Sequence, residues 1–147
     1  MRSRPRDQRL GMVLKRAEQA MVRAKSAALK PVGLTLAHYV ALVELDLQPN
    51  ITGAALARAS LVTPQAMMVV LKSLEDQGLI KRAPHPRHAN VLELHMTDAG
   101  REALVAGRAR IAPIERRVAE AFSADEWQTL GALLGRWIEA LDAKGRS

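Results

Sequence analysis

The side chains best suited to chemistry in this chain recognise partners; they do not attack them. Cysteine is absent from all 147 residues, which removes disulfides, thiolate metal sites and thiol nucleophiles. There is no HExxH motif, no Gly-rich phosphate loop, no nucleophile–base pair and no carboxylate pair set apart from solvated helix faces, so an enzyme is not expected. Three of the four histidines, His85, His88 and His95, fall close together. Loop histidines with no carboxylate beside them are ordinarily solvated, and neither a metal site nor a cofactor is expected. What remains is a run of hydrogen-bonding, basic and small apolar residues around Thr63–Ser73, together with an uneven distribution of charge.

The net charge is +7, and all of it sits at one end. Residues 1–30 hold nine basic side chains and two acids, whereas residues 31–147 hold 13 of each. A basic arm ahead of a balanced body suits a polyanionic partner, because each neutralised phosphate releases condensed counterions. A basic terminus that only keeps the chain soluble is the other reading. Apolar residues make up 48% and charged residues 25%, enough burial to offset the entropy of folding. The start, MRSRPRDQRL, has no apolar h-region and no run of 18 apolar residues occurs, so a soluble intracellular protein is expected, cytoplasmic and without membrane contact.

Periodicity supplies the elements that position these residues. Leu10, Val13, Leu14, Ala17, Met21, Ala24 and Ala28 predict a helix over 8–29, ended by Pro31 and Gly33. Thr35 can cap a second helix, 36–47, with an inward stripe of Leu36, Tyr39, Val40, Val43 and Leu47. After the turn Gln48-Pro49-Asn50, Thr52 can cap a short helix, 53–59, that buries Leu56. Thr63 and Pro64 open a fourth helix that ends at Gly78. The pattern then changes to two strands, Leu79–Arg82 and Val91–Met96, joined by an eight-residue loop from Ala83 to Asn90. Thr97 caps a long helix over 98–121, in which Pro113 should introduce a kink or a local break. Ser123–Glu126 is a capping box for a last helix carrying Leu130, Leu133, Leu134, Trp137, Ile138 and Leu141.

This order predicts a mainly α fold: a winged helix-turn-helix over 34–97 with a two-stranded β-wing, flanked by N- and C-terminal dimerisation helices in 8–33 and 98–147, behind a flexible basic arm at 1–7. In the fourth helix Met67, Val70, Leu71 and Leu74 should anchor the element. Thr63, Gln65, Ala66, Met68, Val69, Lys72 and Ser73 then face outward, where a recognition helix meets a major groove. Long apolar stripes on the end helices exceed what a winged module can cover, which predicts a homodimer on a pseudo-palindromic duplex.

Residues 34–100 resemble the DNA-binding core of MarR-type transcriptional regulators. The resemblance rests on LTLAHYVALVEL, ALARASLVTPQAMMVVLKSLEDQGLIKR and LELHMTDAGREAL in that order, with flanking helices of similar length and place. It implies a regulator of transcription, most often a repressor, released from duplex DNA by a small apolar or aromatic effector. Thr63, Gln65, Met68, Val69, Lys72 and Ser73 become the expected major-groove residues, and Arg58, Lys81 and Arg82 the expected phosphate contacts. Similar proteins carry an Asp-Arg-Arg run at the wing; here His88-Ala89-Asn90 stands there, so Arg87 with His88 is the expected substitute. His38 and Tyr39 fall near the cleft in which MarR-like proteins hold effectors. Ala66, Met68 and Val69 leave fewer base-reading donors than the family usually offers. This keeps open a second reading, a degenerate winged-helix protein-interaction module with weak, sequence-blind DNA binding.

Overall fold

The computed structural model describes residues 9–88 and 91–143. The expected basic arm at 1–7 and the Ala89-Asn90 part of the wing loop lie outside them. The chain forms α1 (Arg9–Leu29), a single 3-10 turn (Lys30–Val32), α2 (Leu36–Leu47), α3 (Gly53–Ala59), α4 (Pro64–Asp76), β1 (Ile80–Pro84), β2 (Leu92–Met96), α5 (Asp98–Glu120) and α6 (Ala124–Asp142). This is a mainly helical fold with a single antiparallel strand pair. Five helices open where a hydroxyl can satisfy a free amide: Thr35, Thr52, Thr63, Thr97 and Ser123 accept from the backbone N–H of His38, Ala55, Ala66, Gly100 and Glu126. In return the Ser123 amide donates to Glu126 Oε1 at 2.9 Å, which holds that carboxyl below its ordinary range. Gly33 and Gly78 adopt φ of +75° and +72° just past their helices, conformations that other side chains resist.

The wing is tied to the body at its base. β1 and β2 pair from Ile80↔Met96 to Pro84↔Leu92, and Thr52 at the start of α3 bridges to Glu93. The Thr97 hydroxyl donates to the Gly78 carbonyl at 2.6 Å and accepts from the Gly100 amide at 3.0 Å. The Thr97 amide donates to the Leu79 carbonyl. A Cβ at position 100 would collide with that same Leu79 carbonyl, so the glycine is what lets α5 start against the wing. Leu42, Leu45, Leu56, Met67, Leu71, Leu74, Ile80, Leu94, Leu104 and Ile111 form the core, joined by Leu29 from the end of α1. Each such side chain stabilises the fold by about 1.5–3 kcal/mol through burial. Arg108 pairs with Asp46 of α2 at 2.8 Å, and Arg110 Nε donates to the Ala28 carbonyl at 3.0 Å.

Four sequence expectations need correction. The buried stripe of α2 is His38, Ala41, Leu42 and Leu45; Leu36, Tyr39 and Val43 flank it, and Leu47 is exposed. The helix is apolar at most positions, so its periodicity carries no phase. Leu79 precedes the first strand, which extends through Ala83 and Pro84, and the second strand begins at Leu92 rather than Val91. The loop is therefore shorter than the expected eight residues, and is closed by the His85 amide donating to the Val91 carbonyl at 2.8 Å. α5 runs from Asp98 to Glu120 with Pro113 inside it, so of the two expected effects the local break does not occur.

The described residues divide into two compact units, one up to Ile111 and the other from Ala112. The first contains the whole buried cluster. In it α1 buries only Leu29, leaving Leu10, Met12, Val13 and Met21 exposed. In the second, the rings of Phe122 and Trp127 approach to 5.8 Å, and no residue of α6 is buried. Trp127, Leu133, Ile138 and Leu141 lie exposed.

Two outcomes are expected from this architecture. A Cβ at Gly107 would lie 2.8 Å from Tyr39 Cδ2, so Gly107→Ala must displace the ring and should destabilise the protein by about 1–3 kcal/mol in urea unfolding. An unchanged midpoint would mean that Tyr39 relaxes freely. The second concerns His38, whose Nδ1 accepts from the Thr35 amide at 3.2 Å and whose burial pushes its pKa below the ordinary 6.5. The native imidazole stays neutral while the unfolded chain takes up a proton below about pH 6.5. Its contribution is therefore fully present above that pH and is lost as pH falls toward the lowered native value. Wild type should lose more stability than His38→Gln between pH 7 and pH 5; parallel losses would remove His38 as the cause.

Candidate nucleic-acid interface

The candidate surface is built on α4. Met67, Leu71 and Leu74, with Val70 half-buried, seat one side of the helix on α2, α3 and β1. Thr63 caps it through the Ala66 amide at 3.1 Å, and Pro64 occupies the first turn, where a missing N–H costs nothing. The opposite side is open: Thr63, Gln65, Ala66, Met68, Val69 and Lys72 are all exposed, Val69 by 72%. Ser73 is only half-exposed, and its hydroxyl accepts from Gln77 Nε2 at 3.2 Å. Lys72 Nζ lies 3.4 Å from Asp76 Oδ2, an exposed i,i+4 pair that contributes little and leaves the ammonium available. From Leu47 to Leu74 the chain carries no carboxylate, while Arg58 stands exposed on α3. A polyanion meets no like charge along that whole stretch.

The basic residues of the wing differ in their surroundings. Lys81 and Arg87 are exposed. Arg82 is not: its Nε lies 2.6 Å from Glu75 Oε2, although its N–H is not aimed at that oxygen, and the side chain is largely covered. The pair links the last turn of α4 to β1. Sequence reading missed Glu75, because nothing local distinguishes it from any other charge on a solvated helix face.

The wing histidines also differ from expectation. The side chain of Glu93, 13% exposed, lies between two of them: Oε1 is 3.4 Å from His85 Nε2 and Oε2 is 3.3 Å from His95 Nε2. His85 is further held by its Nδ1, which accepts from the Arg87 amide at 3.0 Å, and its ring lies 5.2 Å from that of His88. His85 and His95 are thus not solvated loop residues lacking a carboxylate, whereas His88 lies exposed in the loop. Glu93 is eight positions from His85 in sequence and meets it only through the hairpin register. Among the described residues no group of three His, Cys, Asp or Glu side chains is arranged to hold a metal ion. The structure separates His38 and Tyr39 from this surface. His38 is buried in the α2 cap, and Tyr39 packs against α5 at Gly107.

Comparison with known proteins follows this geometry closely. Residues 32–89 match the family model described as MarR family. The HTH-type transcriptional repressor Rv2887 of Mycobacterium tuberculosis is 34% identical over 128 residues, covering 87% of this chain and 92% of that protein. Its structure in complex with DNA superposes with a TM-score of 0.69 at 34% identity, over 89% of this chain and 98% of that one. Its complex with p-aminosalicylic acid gives 0.68 at 34% identity, over 87% and 97%. With this identity sustained across nearly the full length of both chains, and with the winged helix-turn-helix in place, the protein belongs to the MarR family.

Proposed function

We propose that this protein is a sequence-specific, duplex-DNA-binding transcriptional repressor that acts in the cytoplasm as a homodimer and is released by a small apolar or aromatic molecule. The observation that carries the reading is the seating of α4. One side is locked by Met67, Leu71 and Leu74, and the other is open and free of carboxylates from Thr63 through Ser73. The relatives support it, since Rv2887 is a repressor solved both with DNA and with p-aminosalicylic acid. In this reading α4 enters a major groove. Gln65 meets adenine, and Met68 and Val69 meet thymine methyl groups. Arg87 and His88 bring the wing toward the neighbouring minor groove. Arg58 and Lys81 hold phosphates, while the Glu75–Arg82 pair keeps helix and wing at the right separation.

The dimer is inferred from α1 and α6, whose exposed leucines, methionines and tryptophan form faces that a single chain leaves in water. The module 34–97 and the helices in 8–33 and 98–147 then divide the work, one reading DNA and the other pairing the protomers. Two modules about 34 Å apart would read the two halves of a pseudo-palindrome. No single helix among the described residues is long and apolar enough to cross a membrane. Exposed Ala66, Met68 and Val69 also favour a second reading, a winged module that docks on protein and binds DNA weakly.

Fluorescence anisotropy with the duplex upstream of the protein's own gene, against a scrambled duplex over 50–200 mM salt, separates the two. A preference of about 10³-fold or more, falling steeply with salt, is expected of the repressor. Equal weak binding, repeated with genome-wide selected fragments, supports the second reading. Lys72→Ala should lower the salt slope by about one unit if the ammonium meets phosphate, and should weaken one sequence selectively if it reads a base. An unchanged isotherm on every duplex would remove Lys72 from the interface. Glu75→Gln gives opposite signs for two mechanisms. Loss of a negative charge beside DNA alone would tighten binding, whereas loss of the tie to Arg82 should weaken it several-fold at constant salt slope; tighter binding would refute the positioning role.

A further inference from the structure

Among the described residues, two non-glycines have positive φ, Asn50 at +67° and Leu61 at +57°. Asparagine tolerates that region; leucine does not, because its Cβ crowds the following carbonyl. Leu61 lies in the turn between α3 and α4, where the backbone closes a Schellman-type cap. The Leu61 amide donates to the Arg58 carbonyl at 3.2 Å, and the Val62 amide to the Ala57 carbonyl at 3.1 Å. The residue in the left-handed position of such a cap is ordinarily glycine. Leu61 gains little burial from the fold in exchange, since its side chain is 92% exposed, the most exposed of the large apolar side chains among the described residues. The adjacent Ser60 leaves its hydroxyl oxygen buried without a hydrogen-bond partner among the described residues. Two local costs in one turn mark a place where something other than the stability of the chain is being served.

The turn lies two residues before Thr63, the cap of α4, inside the stretch that carries Arg58 and no carboxylate. The exposed apolar residues Met68 and Val69 follow on the outer side of the same helix. We infer that Leu61 is a further specificity-determining residue of the DNA surface, a leucine held out of the fold to meet the C5-methyl group of a thymine at the margin of each half-site. The inference rests on the DNA-binding reading above and adds a contact that the outward face of α4 does not contain. An apolar contact carries no charge, so it discriminates a methyl-bearing base without changing the number of counterions released. The strained backbone fits this role, because the left-handed conformation turns the side chain away from the α3–α4 core.

The experiment begins with full-length wild-type protein and a randomised duplex library, to obtain the preferred sequence. Each thymine of that duplex is then replaced in turn by deoxyuridine, which removes only the methyl group. The same series is measured with Leu61→Gly and with Leu61→Asn, both of which suit the left-handed turn. At one thymine per half-site, the substitution should weaken wild type by about fourfold, the effect of one buried methyl, and should leave both variants unchanged. Both variants should bind the parent duplex more weakly with the salt slope preserved, and Leu61→Gly should melt a few degrees higher than wild type. Variants that retain the wild-type response at every thymine overturn the inference while leaving the DNA reading intact. So does a lower melting temperature for both, which would make Leu61 a structural residue. Failure of the wild-type protein to enrich any sequence overturns the DNA reading itself, and the inference with it.

Discussion

The burial of Met67, Leu71 and Leu74 is the interaction on which the rest of the molecule depends. These side chains recur along one side of α4 and meet the leucines of α2 and α3 and the first residue of β1 in the core. That single stripe determines which residues of α4 are left outside. It also carries the constraint onward: once α4 is fixed, Gly78 must turn left-handed to start the wing, and Thr97 must close it through the Gly78 carbonyl. Gly100 then allows α5 to begin against Leu79. A surface that reads another molecule needs a rigid base, and here rigidity comes from interdigitated leucines rather than from salt bridges.

Charge plays a subordinate and spatially divided part. The ion pairs that touch the candidate surface have different duties. Lys72–Asp76 is exposed and contributes little to stability, whereas Arg82–Glu75 is partly covered and couples two elements that must be spaced correctly. Glu93 gives a third arrangement, a carboxylate between two imidazoles on the wing. Each pair places a carboxylate close to a surface proposed for a polyanion, yet in each the carboxylate faces a cationic or imidazole side chain. The recognition stretch itself stays free of acids from Leu47 to Leu74.

The apolar faces of α1 and α6 have the opposite character to the core. Their spacing is regular enough to predict helices, and apolar residues of both stay exposed in a single chain. Leu61 is a different kind of exposed apolar residue. It lies in a strained turn beside Val62, while the others lie in rows.

Local physics made much of this legible from residues alone. A threonine three positions before its acceptor amide, a proline in the first turn, a glycine after the last, and apolar residues at three- and four-residue steps act within one or two helical turns. They therefore determined the helix caps, the seating of α4, the outward placement of Thr63, Gln65, Met68, Val69 and Lys72, and the order that identifies the family. The tertiary structure decided what depends on distant partners. The phase of α2 could not be read because that helix is apolar on nearly every side, and only the core selects His38, Ala41, Leu42 and Leu45. Glu93 meets His85 through strand register, Glu75 meets Arg82 across the α4–β1 corner, and Gly107 admits Tyr39 through helix approach. Each of these joins residues that no helical spacing brings together, and a side chain's partner of that kind exists only once the backbone between them has been folded.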